Sequence, residues 1–395
     1  MKILNFELDT DLLQVNQNSL IDTMKLAVYD ANLELFEQIS FENDLAFSEP
    51  ALFFYFLGKD LCETSLDHIL LGHQKQGHSK SIKVKSDTDS IVSIPNLGYF
   101  KLPVSQPNSL IELEYIGDKF RVDNYDVTVS NFPNVRGINI NVGIPFILSN
   151  ENMVMQLHES IEETIQKNIT ELNNAFHILE DLDNDFYNMC RFVTREIFMF
   201  SSSNRYSMAA INHHGTAFIN TCHQKQNEIF FLEDLAHQCG HIIFFVLTLQ
   251  TQQYLIPPKE ARLIDIFSNN EEWGKFSEFQ DDVRTVYDAF HGLFTYSTIL
   301  HIYDKLVAKY WIEYNDNQQL EIKARMGFYM KKFEIDVNMM NRIDIFTPKG
   351  YSYWESFHEN FITIKKKYQS YYNSFTYQNQ PYMFDFEEFK KENKK

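Results

Sequence analysis

Two histidines four residues apart, His237 and His241, stand in the middle of EIFFLEDLAHQCGHIIFFVLTL, residues 228–249. The stretch is apolar and long enough for a buried helix. On a helix, a spacing of four brings both imidazoles out of one face about one turn apart. Imidazoles so placed can meet one transition-metal ion. Leaving them buried without partners would be costly, and a pair of hydrogen-bonded core histidines is the plain alternative. A metal ion needs a third protein ligand. Two candidates lie downstream: Glu260, which follows His241 after eighteen intervening residues, and His291 in DDVRTVYDAFHGLFTY.

The position after the first histidine limits the chemistry. Zinc peptidases with H-E-x-x-H carry there a Glu that takes the proton of the metal-bound water. This chain has Gln238 instead, and an amide has no useful basicity near neutral pH. The ligand pair is kept and the proteolytic base is not. Three readings follow. The first is a gluzincin-like metallopeptidase relative using Glu260, the second a non-catalytic, metal-stabilised peptide-binding protein, and the third metal chemistry that needs no base.

Three pieces in chain order, HHGTAFINTC, EDLAHQCGH and RTVYDAFHGLFTY, resemble the HExxH-motif peptide-modification proteins. These include 2-oxoglutarate-dependent β-hydroxylases of ribosomally made peptides. The shared pattern is a small-residue turn and strand, a helix with the histidine pair, and a helix reading R-x-x-x-x-x-x-H-G followed by aromatics. The likeness covers about residues 205–300 and does not extend to the N-terminal part. Gln238 departs from the family's Glu, which an oxygenase tolerates because that residue need not be a ligand.

The resemblance implies an Fe(II)- and 2-oxoglutarate-dependent oxygenase that hydroxylates a side chain, at its β-carbon, of a ribosomal precursor peptide. His237, His241 and His291 would then be the iron ligands, an all-histidine variant of the two-His-one-carboxylate triad with positions open for co-substrate and O₂. Neutral ligands leave the full charge on iron, which favours dianionic 2-oxoglutarate. Arg284, seven residues before His291 and expected on nearly the same helix face, would anchor the distal carboxylate with its bidentate fork. Glu233 and Asp288 are expected to orient the imidazoles. Gly292, a poor helix former, suggests close packing or substrate approach beside His291.

Elements must hold these residues in place. A chain of 395 residues suggests two domains, with a boundary near residue 150. Residues 1–150 mix helices with a β-rich section and could serve peptide recognition. Residues 151–395 read as a largely helical metal-binding part, so the expected class is α+β, mainly helical. Apolar residues recur at helical spacing from Ser19 to about Leu71. From Ser81 to Leu148, SIKVK, SIVSI, LIELEYI and INVGIPFIL alternate or run β-branched. Helical periodicity returns at Asn152 and holds to near Phe200. YSMAAI and TAFINTC read as a strand-like pair around NHHG. Helices follow Asn227, with loops at Pro257–Pro258 and Thr347–Tyr351. His73 and His78 fall in a polar linker, where histidines collect by chance.

Composition narrows the partners. Lys plus Arg is 35 against 54 for Asp plus Glu, a net charge of −19, which repels phosphate backbones and anionic lipid. Nucleic acid and membrane are therefore poor partners, and a cationic or neutral polypeptide fits. The N-terminus MKILNFELDTDLL has no secretory pattern. The longest apolar run, Ile242 to Leu249, is shorter than the ~20 residues that span a bilayer. Cys62, Cys190, Cys222 and Cys239 are far apart without CxxC spacing, as expected of reduced thiols in a cytoplasmic protein.

Overall fold

Alternating β-branched residues fold as strands between residues 80 and 140, and the stretches with apolar residues three and four apart fold as helices. The outcome is the mainly helical α+β fold expected. The computed structural model describes residues 1–58, 64–75, 80–116, 119–148, 155–222, 225–267, 284–377 and 384–393. Two compact units emerge, and their limits differ from a single cut near residue 150. One comprises Gln14–Asn173 and Cys190–Asn227, the other Met1–Leu13, Asn174–Met189 and Glu228–Lys395. The first residues join the C-terminal helices through contacts far apart in sequence. Phe6 packs against Phe294, Tyr353 and Phe357 at 5.7, 4.9 and 5.1 Å between ring centroids. The Leu4 amide donates to Nδ1 of His301 at 3.2 Å, and the Asn5 amide to the Asn360 side chain at 2.6 Å.

In the Gln14–Asn173/Cys190–Asn227 unit, Lys80–Lys85, Leu110–Ile116, Lys119–Val122 and Tyr125–Val127 form an antiparallel sheet in that order. Val84, Val92, Ile94 and Leu113 fill its buried side. The helical pattern does not reach Phe200. EIFMF forms the strand Glu196–Phe200, which runs parallel to Thr216–Asn220 on one side and to Ile138–Ile140 on the other. Continuous apolarity suits a strand covered on both faces as well as it suits a helix, and here pairing decided. Thr216–Asn220 is the strand expected of TAFINTC. YSMAAI contributes only an isolated bridge from Met208 to Phe218.

In the other unit the helix Val286–Tyr310 packs against Glu228–Leu247, Asp316–Met339 and Pro348–Lys367. Its start is set by Thr285, whose hydroxyl accepts from the Asp288 amide while the Asp288 carboxylate accepts from the Thr285 amide, a capping box. Thr347 caps the last of these helices ahead of Pro348, so Thr347–Tyr351 is a helix start and not a loop. Glu228–Leu247 approaches Val286–Tyr310 closely at Gly240, where a Cβ would lie 2.8 Å from Oγ1 of Thr298. Glu228–Leu247 is also the one helix among the described residues long and apolar enough to cross a bilayer; 78% of that window is buried inside the protein.

Candidate metal centre

Between Phe231 and Thr248, the Glu228–Leu247 helix is buried at every position except His237, His241 and Phe245, which are partly exposed. These three stand four residues apart and mark a single face, so the two histidines lie on the one partly covered face of a stretch that is otherwise core. His291 approaches from Val286–Tyr310 and is itself buried. Its Nε2 lies 2.9 Å from Nδ1 of His241 and 3.1 Å from the His241 carbonyl oxygen. Nδ1 of His291 is 3.4 Å from the same His241 nitrogen. Ring centroids are 4.7 Å apart for His237 and His241, and 4.2 Å for His241 and His291. Phe244 and Phe245 cover the His291 ring at 5.3 and 4.4 Å, with Tyr287 at 5.7 Å.

The donor set fits a transition-metal ion in its chemistry. Loss of water pushes His241 down to about 3 and His237 and His291 well below the usual histidine range; His241 and the Lys332 charge add to this at His237. The neutral imidazole is the ligand form, so no proton need be displaced at ordinary pH. Nδ1 of His237 is buried without a protein partner. Adjacent ligands ~2.1 Å from one ion stand ~3.0 to ~3.4 Å apart, and the His241–His291 nitrogens lie 2.9 and 3.4 Å apart. The rings nevertheless touch one another. Among the described residues, no three His, Cys, Asp or Glu side chains already surround a common point. The same 2.9 Å contact also suits a hydrogen bond between two neutral imidazoles.

The neighbours expected from sequence are placed differently. Glu260 is exposed in the turn after Pro258 and belongs to no ligand group among the described residues. Arg284 precedes the helix and does not share the His291 face. Its two terminal nitrogens donate to the Asp336 carboxylate at 2.9 and 3.1 Å, and the Tyr296 hydroxyl donates to the same carboxylate at 3.1 Å. Asp288 is spent on the capping box. Glu233 holds no imidazole; it accepts from Arg325 at 2.5 Å and from the Tyr329 hydroxyl. Arg325 also donates to Glu321 at 2.7 Å, completing a buried Glu–Arg–Glu group. Tyr329, 6.2 Å from His237, is what links this group to the histidine pair. Gly292 is not a point of close approach, since a Cβ there would meet Tyr296 and Asp336 at 3.5 and 3.6 Å; Gly240 has that role.

Gln238 is fully buried and donates through Nε2 to Asp234 at 2.9 Å. His73 bonds Glu49 at 3.2 Å, and His78 lies outside the described residues. Cys190, Cys222 and Cys239 form no disulfide, and Cys62 lies outside the described residues. Sequence reasoning missed Lys332, Tyr329 and Arg325. All three sit on Asp316–Met339, a helix with no ligand-like spacing to single it out. No family model matches the sequence, and no curated protein is significantly similar to it.

Proposed function

We propose that His237, His241 and His291 hold one Fe(II) ion and that the protein is a 2-oxoglutarate-dependent oxygenase that hydroxylates a side chain, at the β-carbon, of a ribosomally made peptide. The observation that carries this reading is the meeting of His291, from a separate helix, with the partly exposed pair. Iron with 2-oxoglutarate and O₂ supplies the oxidant that turns C–H into C–OH, releasing succinate and CO₂. The three neutral imidazoles leave the metal's charge uncompensated, which favours a dianionic co-substrate. Lys332 is the cation whose charge bears on both His237 and His241, and Arg284 is already engaged by Asp336. In this reading Lys332, which also lies over the Tyr296 and Phe328 rings at 5.7 and 5.5 Å, anchors the distal carboxylate in place of Arg284. Phe244, Phe245 and Tyr287 keep water from the His291 side, and the open face at His237 and His241 admits substrate. Gln238 has no proton to move, so its amide is no obstacle here, whereas it leaves a peptidase without a base.

A second reading, a metal held for stability or a metal-free hydrogen-bonded pair, draws on the contact between His241 and His291. The two are separated by adding Fe(II) and then 2-oxoglutarate to the purified protein without oxygen. An absorption band that needs both additions and vanishes in His291→Ala supports the oxygenase. Tightly held zinc, or no metal binding, with no such band overturns it.

A further inference from the structure

We propose that the surface formed by the second half of the Thr10–Ala31 helix and the segment up to Leu45 docks a cationic amphipathic helix of a partner polypeptide. Leu26 and Tyr29, one turn apart on that helix, are 66% and 48% exposed. Leu33, Phe41 and Leu45 are each at least half exposed. Phe36 links two of these side chains directly, with ring centroids 5.5 Å from Tyr29 and 6.4 Å from Phe41. Large apolar side chains exposed singly are ordinary; a contiguous group of this kind marks a surface that meets something else.

Charge says what meets it. Between residues 22 and 44 the sequence has six acids and one base. That base, Lys25, is covered by its own partners, pairing with Asp44 at 2.8 Å and Asp22 at 3.6 Å and lying 4.4 Å over the Phe41 ring. Asp30, Glu34, Glu37 and Glu42 are left exposed at the rim. An apolar stripe with an acidic border complements a helix with an apolar face flanked by Lys or Arg. It repels an anionic lipid surface. It also disfavours a second copy of the chain, because a two-fold axis would set the acidic rims against each other. The surface lies wholly within the Gln14–Asn173/Cys190–Asn227 unit, and the inference stands without the metal reading.

The test uses the intact protein and two labelled synthetic helical peptides with the same leucine face, one with lysines and one with glutamates on the polar face. Fluorescence anisotropy is expected to show binding of the lysine peptide alone, weakening with salt. Leu26→Gln with Leu33→Gln should weaken it by roughly tenfold or more, as expected for removing two apolar anchors. Asp30→Asn with Glu34→Gln should weaken it and flatten the salt dependence. All four side chains are exposed, so circular dichroism should be unchanged. Absent binding, equal binding of both peptides, or binding indifferent to both double variants overturns the proposal. So does self-association of the chain that Leu26→Gln with Leu33→Gln abolishes, since the occupant would then be a second copy.

Discussion

Nδ1 of His241 lies 2.9 Å from Nε2 of His291 although fifty positions separate them in the chain. Glu260, the nearer candidate in sequence, is exposed in a turn. That relationship makes the choice of third ligand testable. Iron or zinc titrated into the protein should bind at one equivalent. His291→Ala is expected to lower the affinity by at least an order of magnitude, in line with loss of one of three ligands, and Glu260→Ala to leave it unchanged. The reverse pattern, read by metal analysis after dialysis, would move the third ligand to Glu260.

Arg284 and Lys332 should behave oppositely. Arg284→Ala leaves the buried Asp336 carboxylate with Tyr296 and without its bidentate partner, and should cost about 3 kcal/mol of stability. Arg284→Ala combined with Asp336→Asn should recover part of the lost melting temperature. Lys332→Ala should instead cost less stability than Arg284→Ala and raise the 2-oxoglutarate concentration needed for half-maximal turnover. A raised requirement in Arg284→Ala and not in Lys332→Ala would restore Arg284 as the anchor.

Gln238→Ala should retain metal binding and part of the turnover, at a stability cost of ~1 kcal/mol from the lost bond to Asp234. Gln238→Glu restores the residue type that peptidases use. It is expected to yield no peptide-bond cleavage: a carboxyl there can no longer donate to Asp234 as the amide does, and buried against that carboxylate it is driven toward its neutral form, which is no base. Cleavage of a casein substrate by Gln238→Glu would argue for the peptidase reading.

The two glycines near the centre should respond differently to a methyl group. Gly240→Ala drives a Cβ to 2.8 Å from the Thr298 hydroxyl and should destabilise by about 1–3 kcal/mol, loosening the two helices that carry the histidines and weakening metal binding with them. Gly292→Ala meets only ordinary contacts and should be neutral or stabilising by up to ~1 kcal/mol. Thermal melts and metal titrations of the two variants check both halves.

Acid should weaken the unit that contains the sheets. Burial lowers His68 and His214 to about 4 and His213 to about 3. The unfolded chain therefore takes up protons from about pH 6.5 downward that the folded unit refuses, and stability falls as pH falls through that window. Burial, with the nearby Glu49 charge, raises Glu196 to about 7. Glu196 thus acts in the opposite direction, favouring the folded state as pH drops from 7 toward its unfolded value. Burial raises Asp87 as well, and three histidines against these two carboxyls give a net loss on acidification. Denaturant titrations at pH 7 and pH 4.5 should show the lower midpoint at pH 4.5, and Glu196→Gln should change the pH 7 value more than the pH 4.5 value.

The linear sequence by itself determined the mainly helical α+β class, the helix that carries His237 and His241, and the absence of a proteolytic base at Gln238. All of these depend on periodicity or residue type within one or two turns, where neighbours along the chain are neighbours in space. Tertiary structure alone decided the rest. EIFMF became a strand because parallel partners were available on both sides, a choice its uniform apolarity left open. Arg284 fell outside the helix because Thr285 and Asp288 capped it one residue later, and the guanidinium then met Asp336 from another helix. The domain limits moved because Phe6, Leu4 and Asn5 bond to side chains about 290 to 360 residues away. Side-chain contacts across such distances follow from how helices pack, and no local spacing encodes them.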